Sequence, residues 1–487
     1  MSDGNGRTLL GPLNRVEGDL EIQVAVAAGR VSEAWVNSPL FRGFELILQG
    51  KAPMDALVYT PRICGICSVA QSVAAAGALA EYLQVTPTDN GRIATNLTLA
   101  CENLADHLTH FYLFFMPDFA RPGYQSEPWF EAIRERFRAQ TGAAVNQVLP
   151  ARAAFMRLTG ILAGKWPHSL SLQPGGSSRA LSTSDIVRLR MQIGSFRQFL
   201  EQVLFDGPLE QVAALASREQ LQAWAAAHPH GDFARFLSVA EALKLETLGR
   251  TRHQFLSYGA YGQSRGHWFC RGVVGWQGNQ LQPRTLDLDA ITEDMSSAWL
   301  RGESAHPSVG HTQPDIDMPG YSWCKAPRLA QQVTEVGALA RQVVAGHPLL
   351  LDLVREQGAN VMNRVVARLL EFALVVPAME DWCQQLIPTA AFCAPQSQRP
   401  VQGRGVGLVE AARGSLGHWL SVKDGRIHNY QIIAPTTWNF SPRDRAGQAG
   451  PLESALARTP VSGELHECLP IQHIIRSYDP CMVCTVH

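Results

Sequence analysis

Apolar positions near the start of the chain fall in two alternating runs, Leu20 to Val26 and Val31 to Val36, on either side of an Ala-Gly step. A period of two with a turn between predicts a β-hairpin. After Cys67 the period changes. The stretch "SVAQSVAAAGALAEYLQV" is rich in alanine and ends before Pro87, which predicts a helix. Ile93, Leu97, Leu104, Leu108, Phe111 and Phe115 recur at helical spacing and predict a second helix over 92–116, stopping at Pro117. Further helices are predicted over 184–204, 209–227, 329–356 and 358–386. Residues 400–440 return to Gly-rich turns and short strands. The predicted fold class is mainly α with α+β parts: a large helical bundle core with β segments near both termini. No internal repeat, low-complexity linker or charge block interrupts the pattern, so residues 1–487 read as a single domain.

Composition supports a large core, with 46% hydrophobic and 17% charged residues in a chain of 487. The formal net charge is −1 and Lys and Arg form no runs, which gives no basis for binding nucleic acid or an anionic membrane. The N-terminus lacks an apolar signal core. No apolar stretch reaches the roughly 18 residues of a spanning helix. The most apolar helix, "LADHLTHFYLFFM", carries Asp106, His107 and His110. A cytoplasmic location is therefore expected.

Ten cysteines are too few for a secreted disulfide scaffold of this length, and in a reducing compartment paired cysteines read as metal or redox sites. Two C-x-x-C pairs stand out: Cys64 with Cys67 in "PRICGICSVAQ", and Cys481 with Cys484 in "SYDPCMVCTVH", the last residues of the chain. Four thiolates make a soft, electron-rich site. A structural zinc site is one reading, although its pairs usually lie within one small knuckle and these are more than four hundred residues apart. A thioredoxin-like dithiol is another, and leaves the terminal pair unexplained. The third is a catalytic metal centre closed by tertiary structure, each pair supplying two ligands.

"RICGIC" and "DPCMVCTVH", together with "NRVEGDLEI", "SPLFRGFE", "ENLADHLTHFY", "EAARGSLGHW" and "NYQIIAPTTWN", resemble the large subunit of [NiFe] hydrogenases over the whole chain. The resemblance implies heterolytic cleavage of H2 at a nickel–iron centre, Ni-Fe(CN)2(CO), held by four cysteines. Cys64 and Cys481 would bind nickel alone, and Cys67 and Cys484 would also bridge to iron. Cys481 would be the base that takes the proton, and Glu17 the carboxylate that accepts it next. Arg413 matches the arginine above the metals, although Ala412 stands where its neighbour is usually proline. Asp106 and Asp479 match the carboxylates that hold that arginine. Glu45, the backbone carbonyl of Ile432, and His487 match the ligands of a second metal, Mg2+ or Fe2+.

Some positions depart from the common pattern. Gln71 stands where a histidine usually donates to a bridging thiolate, and its amide can do the same. Ile66 and Phe114 replace smaller residues on the gas route. Together Gln71, Ile66 and Phe114 resemble the regulatory, H2-sensing branch, which signals to a histidine kinase. A catalytic uptake enzyme of the same family is the alternative reading. Cys101, Cys270, Cys324, Cys383, Cys393 and Cys468 are scattered singly, so an iron–sulfur relay is expected in a partner small subunit.

Overall fold

The computed structural model describes residues 7–395, 400–461 and 463–487. The predicted hairpin forms from Glu21–Ala27 and Arg30–Asn37, with Thr8–Leu10 added on the outer edge of an antiparallel sheet. Ala28 and Gly29 both have positive φ, the turn geometry that matches strand twist. Leu20, Ile22, Val24, Val31 and Val36 point into the core. The hairpin also meets the far end of the chain: Val31 N–H donates to Thr459 O at 2.9 Å, and Arg458 N–H to Val31 O at 2.7 Å.

The alanine-rich segment is the helix Ser68–Leu83. Its small side chains have a clear use. The strand Gly403–Ala411 lies directly on it, and a Cβ on Gly405 or Gly407 would sit 2.0 Å from Ala78 O or 1.8 Å from Ala74 O. Only glycine facing alanine permits that approach. The helix Asp89–Thr109 starts where Thr88 Oγ1 accepts from Gly91 N–H. It widens into a π turn over His110–Phe115 and ends in a 3₁₀ turn at Met116–Ala120, where Pro117 stops it. The helix predicted over 358–386 is Val361–Gln385, capped by Asn360. The one over 184–204 is Thr183–Phe199 followed by a π turn over Leu200–Leu204.

Two helical expectations need correction. The segment 209–227 is two helices, Leu209–Ala213 and Arg218–Ala227, the second capped by Ser217. The segment 329–356 is not one helix. It begins as strands Ala326–Leu329 and Thr334–Glu335 and continues as helices Ala338–Val344 and Pro348–Gln357. Gly337 and Gly346 adopt positive φ and Pro348 opens a new helix, so the apolar spacing spans three breaks.

The chain also holds a mid-chain sheet that the pattern did not predict. Gln254–Gly262, His267–Gln277 and Gln280–Arg284 are antiparallel neighbours, and Thr334–Glu335 adds to the first in parallel. A third sheet, Gly403–Ala411, Gly414–Lys423 and Arg426–Ile433, matches the β region expected over 400–440. The architecture is mixed helix and sheet, predominantly helical, as the fold class anticipates. Its largest apolar cluster runs from Leu10 to Cys484. Among the described residues, no helix is long and apolar enough to cross a membrane.

Candidate metal centre

The two ends of the chain meet at the four paired cysteines. Cys64 follows the 3₁₀ turn Thr60–Arg62, and Cys67 occupies the cap position of Ser68–Leu83. The first amides of that helix are held by a buried carboxylate: Val69 N–H and Ala70 N–H donate to Glu102 at 2.8 and 2.9 Å, and Trp166 Nε1–H joins them at 2.9 Å. Cys481 caps the terminal turn Met482–Thr485. A short parallel bridge pairs Glu17 with Cys481, with Met482 N–H donating to Glu17 O at 2.7 Å. Thr436 Oγ1 accepts from Cys481 N–H, and Thr437 Oγ1 donates to Thr485 O.

These contacts bring Cys64 Sγ to 3.5 Å from Cys481 Sγ, Cys67 Sγ to 3.0 Å from Cys484 Sγ, and Cys481 Sγ to 3.1 Å from Cys484 Sγ. All four sulfurs lie within 4.8 Å of one another and all four cysteines are buried. Among the described residues this is the one such group of His, Cys, Asp or Glu donors. Four soft donors around one point, unbridged by disulfides, fit a thiophilic metal; sulfur donors in this set admit nickel, iron or zinc.

Arg413 sits in the two-residue turn between the strands Gly403–Ala411 and Gly414–Lys423, where Ala411 pairs with Gly414. The hairpin tip aims the side chain into the centre. Its Nη1 lies 2.9 Å from Asp106 Oδ2, its Nη2 3.2 Å from Asp479 Oδ1, and its Nε–H donates to Asp479 O at 2.9 Å. Burial works against the guanidinium charge, but Asp106, Asp479 and the sulfurs of Cys481 and Cys67 hold it firmly protonated. Asp106 and Asp479 part company. Burial pushes the Asp106 carboxyl up to about 7 despite Arg413. Burial also disfavours the Asp479 charge, but Arg413, His110 and Arg368 hold that carboxyl below its usual range. Glu17 is half-buried beside these groups. Burial raises its carboxyl and the Cys64 sulfur raises it further, while Arg413 and Arg42 pull the other way.

The residues expected around a second metal also converge. His487 Nε2 lies 3.4 Å from Glu45 Oε1, and Ile432 N–H donates to the same oxygen at 2.8 Å. The sequence pattern does not mark their neighbours. Lys325 Nζ lies 3.3 Å from Glu45 Oε2, 3.4 Å from Glu293 Oε2 and 2.6 Å from Gln431 Oε1, and Thr312 Oγ1 donates to Glu45. Burial would raise the Glu45 carboxyl, but Lys325, His487 and Thr312 hold it at about 2. Glu293 Oε1 is buried without a partner. The carboxylates of Glu45 and Glu293 and the His487 imidazole are donors of the kind a hard divalent cation takes, and the Lys325 ammonium lies within 3.4 Å of both carboxylates. No motif marks Lys325 or Glu293; they come from the central segment, far from both signatures.

Gln71 is buried on the helix that follows Cys67, and its Oε1 accepts from His418 Nε2–H at 2.8 Å, with Tyr430 OH 2.8 Å from His418 Nδ1. Burial keeps this histidine neutral, at about 3, so Nε2–H donates and Nδ1 accepts. The amide expected to serve a thiolate is thus engaged first with a histidine. Ile66 is half-buried between the paired cysteines and packs against the main apolar cluster, while Phe114 is half-buried in the π turn, its carbonyl accepting from Arg15. Glu102 and His418 lie inside recognised motifs, but nothing in a single sequence distinguishes them from core residues.

The sequence profile of a family described as nickel-dependent hydrogenase matches residues 42–122 and 144–487. The chain is 29% identical to the periplasmic [NiFeSe] hydrogenase large subunit of Desulfomicrobium baculatum, covering 100% of this chain and 96% of the relative. It is 26% identical to the hydrogenase-2 large chain of Escherichia coli (99% and 97% covered) and 24% identical to the uptake hydrogenase large subunit of Rubrivivax gelatinosus (100% and 96% covered). Its fold superimposes on the Ni-Fe-Se hydrogenase from D. vulgaris Hildenborough with a TM-score of 0.83 at 28% identity, covering 99% of this chain and 100% of the other.

Proposed function

The chain belongs to the nickel-dependent hydrogenase family, and from that premise we propose that it is the H2-oxidising large subunit, performing H2 ⇌ 2H+ + 2e−. The observation that carries the reading is the convergence of four buried sulfurs from opposite ends of the chain within 4.8 Å. Cys64 and Cys481 would hold nickel, and Cys67 and Cys484 would bridge it to iron. When bound, the nickel–iron pair supplies a Lewis-acidic, redox-active centre that polarises H2.

The chain's own residues do the rest. Cys481 Sγ takes the proton, and the Glu17 carboxylate, tied to Cys481 by backbone pairing, receives it. The raised carboxyl of Glu17 suits a group that is neutral for part of each cycle. Arg413 holds a fixed positive charge beside the sulfurs, and Asp106 and Asp479 fix its orientation. Glu45, Ile432 and His487 would hold Mg2+ or Fe2+, pinning the terminal residue against the N-terminal third. The described residues gather one cysteine cluster, so the electrons leave through an iron–sulfur small subunit. We read residues 1–487 as one domain, since a single apolar cluster links its ends.

The names of the relatives, an uptake enzyme among them, favour a catalytic role. A second reading, an H2 sensor addressing a histidine kinase from the cytoplasm, rests on the resemblance carried by Gln71, Ile66 and Phe114 alone. The Desulfomicrobium relative is periplasmic by name, so cell fractionation discriminates as well. The direct test is D2–proton exchange by the purified complex. Exchange that depends on nickel supports the proposal, and a nickel-loaded protein inert towards D2 overturns it.

A further inference from the structure

Arg42 stands outside the chemistry described so far, yet it touches both halves of the metal centre. Its Nη2 donates to Ile63 O at 2.5 Å and also to Val483 O. Ile63 immediately precedes Cys64, and Val483 immediately precedes Cys484. One nitrogen therefore ties the turn of the first cysteine pair to the turn of the last, with Val483 441 positions beyond Arg42 in the chain. An aromatic ring steadies the side chain, with the guanidinium carbon 5.1 Å from the centre of the Phe44 ring. Its Nε is buried without a partner. Gly43 follows with a φ of 70°, a left-handed turn after which Glu45, three residues on, faces His487 while Arg42 meets the two carbonyls.

We propose that Arg42 is a positioning residue, a clamp that locks the C-terminal cysteine turn onto the N-terminal one. The proposal rests on the reading of the four cysteines as one metal centre. A guanidinium suits the role because its charge strengthens both bonds to carbonyl oxygen and its plane fixes their direction. Before the tail docks, Arg42 keeps Ile63 O as its partner; docking adds Val483 O.

The test compares Arg42→Ala and Arg42→Lys with the unaltered large subunit, each in its complete complex. The readouts are release of His487 by a carboxypeptidase and the infrared CO band of the centre. His487 is 6% exposed when docked. The clamp predicts that Arg42→Ala releases it about tenfold faster and shifts the CO band. Arg42→Lys restores a large part of both, because an ammonium still offers three donors. Unchanged protection and an unmoved band in Arg42→Ala overturn the clamp, as does an Arg42→Lys protein no better than Arg42→Ala. Should Arg42→Ala fail to fold, Arg42→Lys and Arg42→Gln decide: Lys close to the parent and Gln with a loosened tail support the clamp, and indistinguishable behaviour overturns it. Nickel missing from the unaltered protein sinks the underlying reading instead, so the two failures are told apart.

Discussion

Glu17 is one backbone pairing away from Cys481, and its carboxyl titrates above the usual range because burial and the Cys64 sulfur both oppose its charge. Replacing it with glutamine keeps the shape and removes the exchangeable proton. Glu17→Gln should lower D2–proton exchange by at least about 100-fold, the range of a lost acid–base group, while nickel content stays that of the parent. Unaltered exchange would remove Glu17 from the route. On the reading that Ile66 and Phe114 line a gas route in an H2 sensor, Ile66→Val with Phe114→Leu should make H2 oxidation sensitive to O2; the activity remaining after air exposure measures this, and unchanged tolerance counts against it. The two cysteine pairs were legible from their spacing, whereas Glu17, Glu45, Asp106, Arg413, Asp479 and His487 were singled out only through motifs that resemble the hydrogenase large subunit. The Arg413 ion triad was expected and forms. Lys325 and Glu293 were not legible, because a charged side chain alone in a central segment carries no spacing signal.

At the scale of elements, several contacts tie the C-terminal part of the chain to its N-terminal part. One is the Glu17 bridge. Another is made by the helix Pro451–Leu456, whose Glu453 Oε1 accepts from Val36 N–H at 2.9 Å and from Tyr321 OH at 2.7 Å. Burial pushes this carboxyl up to about 7 from an ordinary 4.5, against those hydrogen bonds. An acid raised in the folded state binds its proton there over a range in which the unfolded chain has lost it. Its contribution is complete below pH 4.5 and fades as pH rises through 7, by up to about 3 kcal/mol. Denaturant unfolding of Glu453→Gln should therefore show a shallower loss of stability between pH 5 and 8 than the parent, and parallel curves would contradict this. Helices with strong caps were legible, as at Thr88 and Asn360. The strand Gln254–Gly262 was not, because all but its last residue are buried and no polar alternation marks it. The segment 329–356 misled because its apolar spacing continues across Gly337, Gly346 and Pro348.

For the molecule as a whole, cysteine pairs more than four hundred residues apart make folding and site assembly one event: the centre closes only when the segment around Cys481 reaches the one around Cys64. The sequence carries that requirement as two distant cysteine pairs, whereas the path between them, through the mid-chain sheet, the sheet over 403–433 and the long helices, comes from packing that no local pattern encodes. The central claim is that these sulfurs hold nickel and iron. Metal analysis joined to an infrared spectrum of the purified complex tests it most directly. The account predicts one nickel per large subunit, with bands from bound CO and cyanide that vanish in Cys64→Ser and Cys481→Ser. Zinc in place of nickel, with an empty CO and cyanide region, would contradict it.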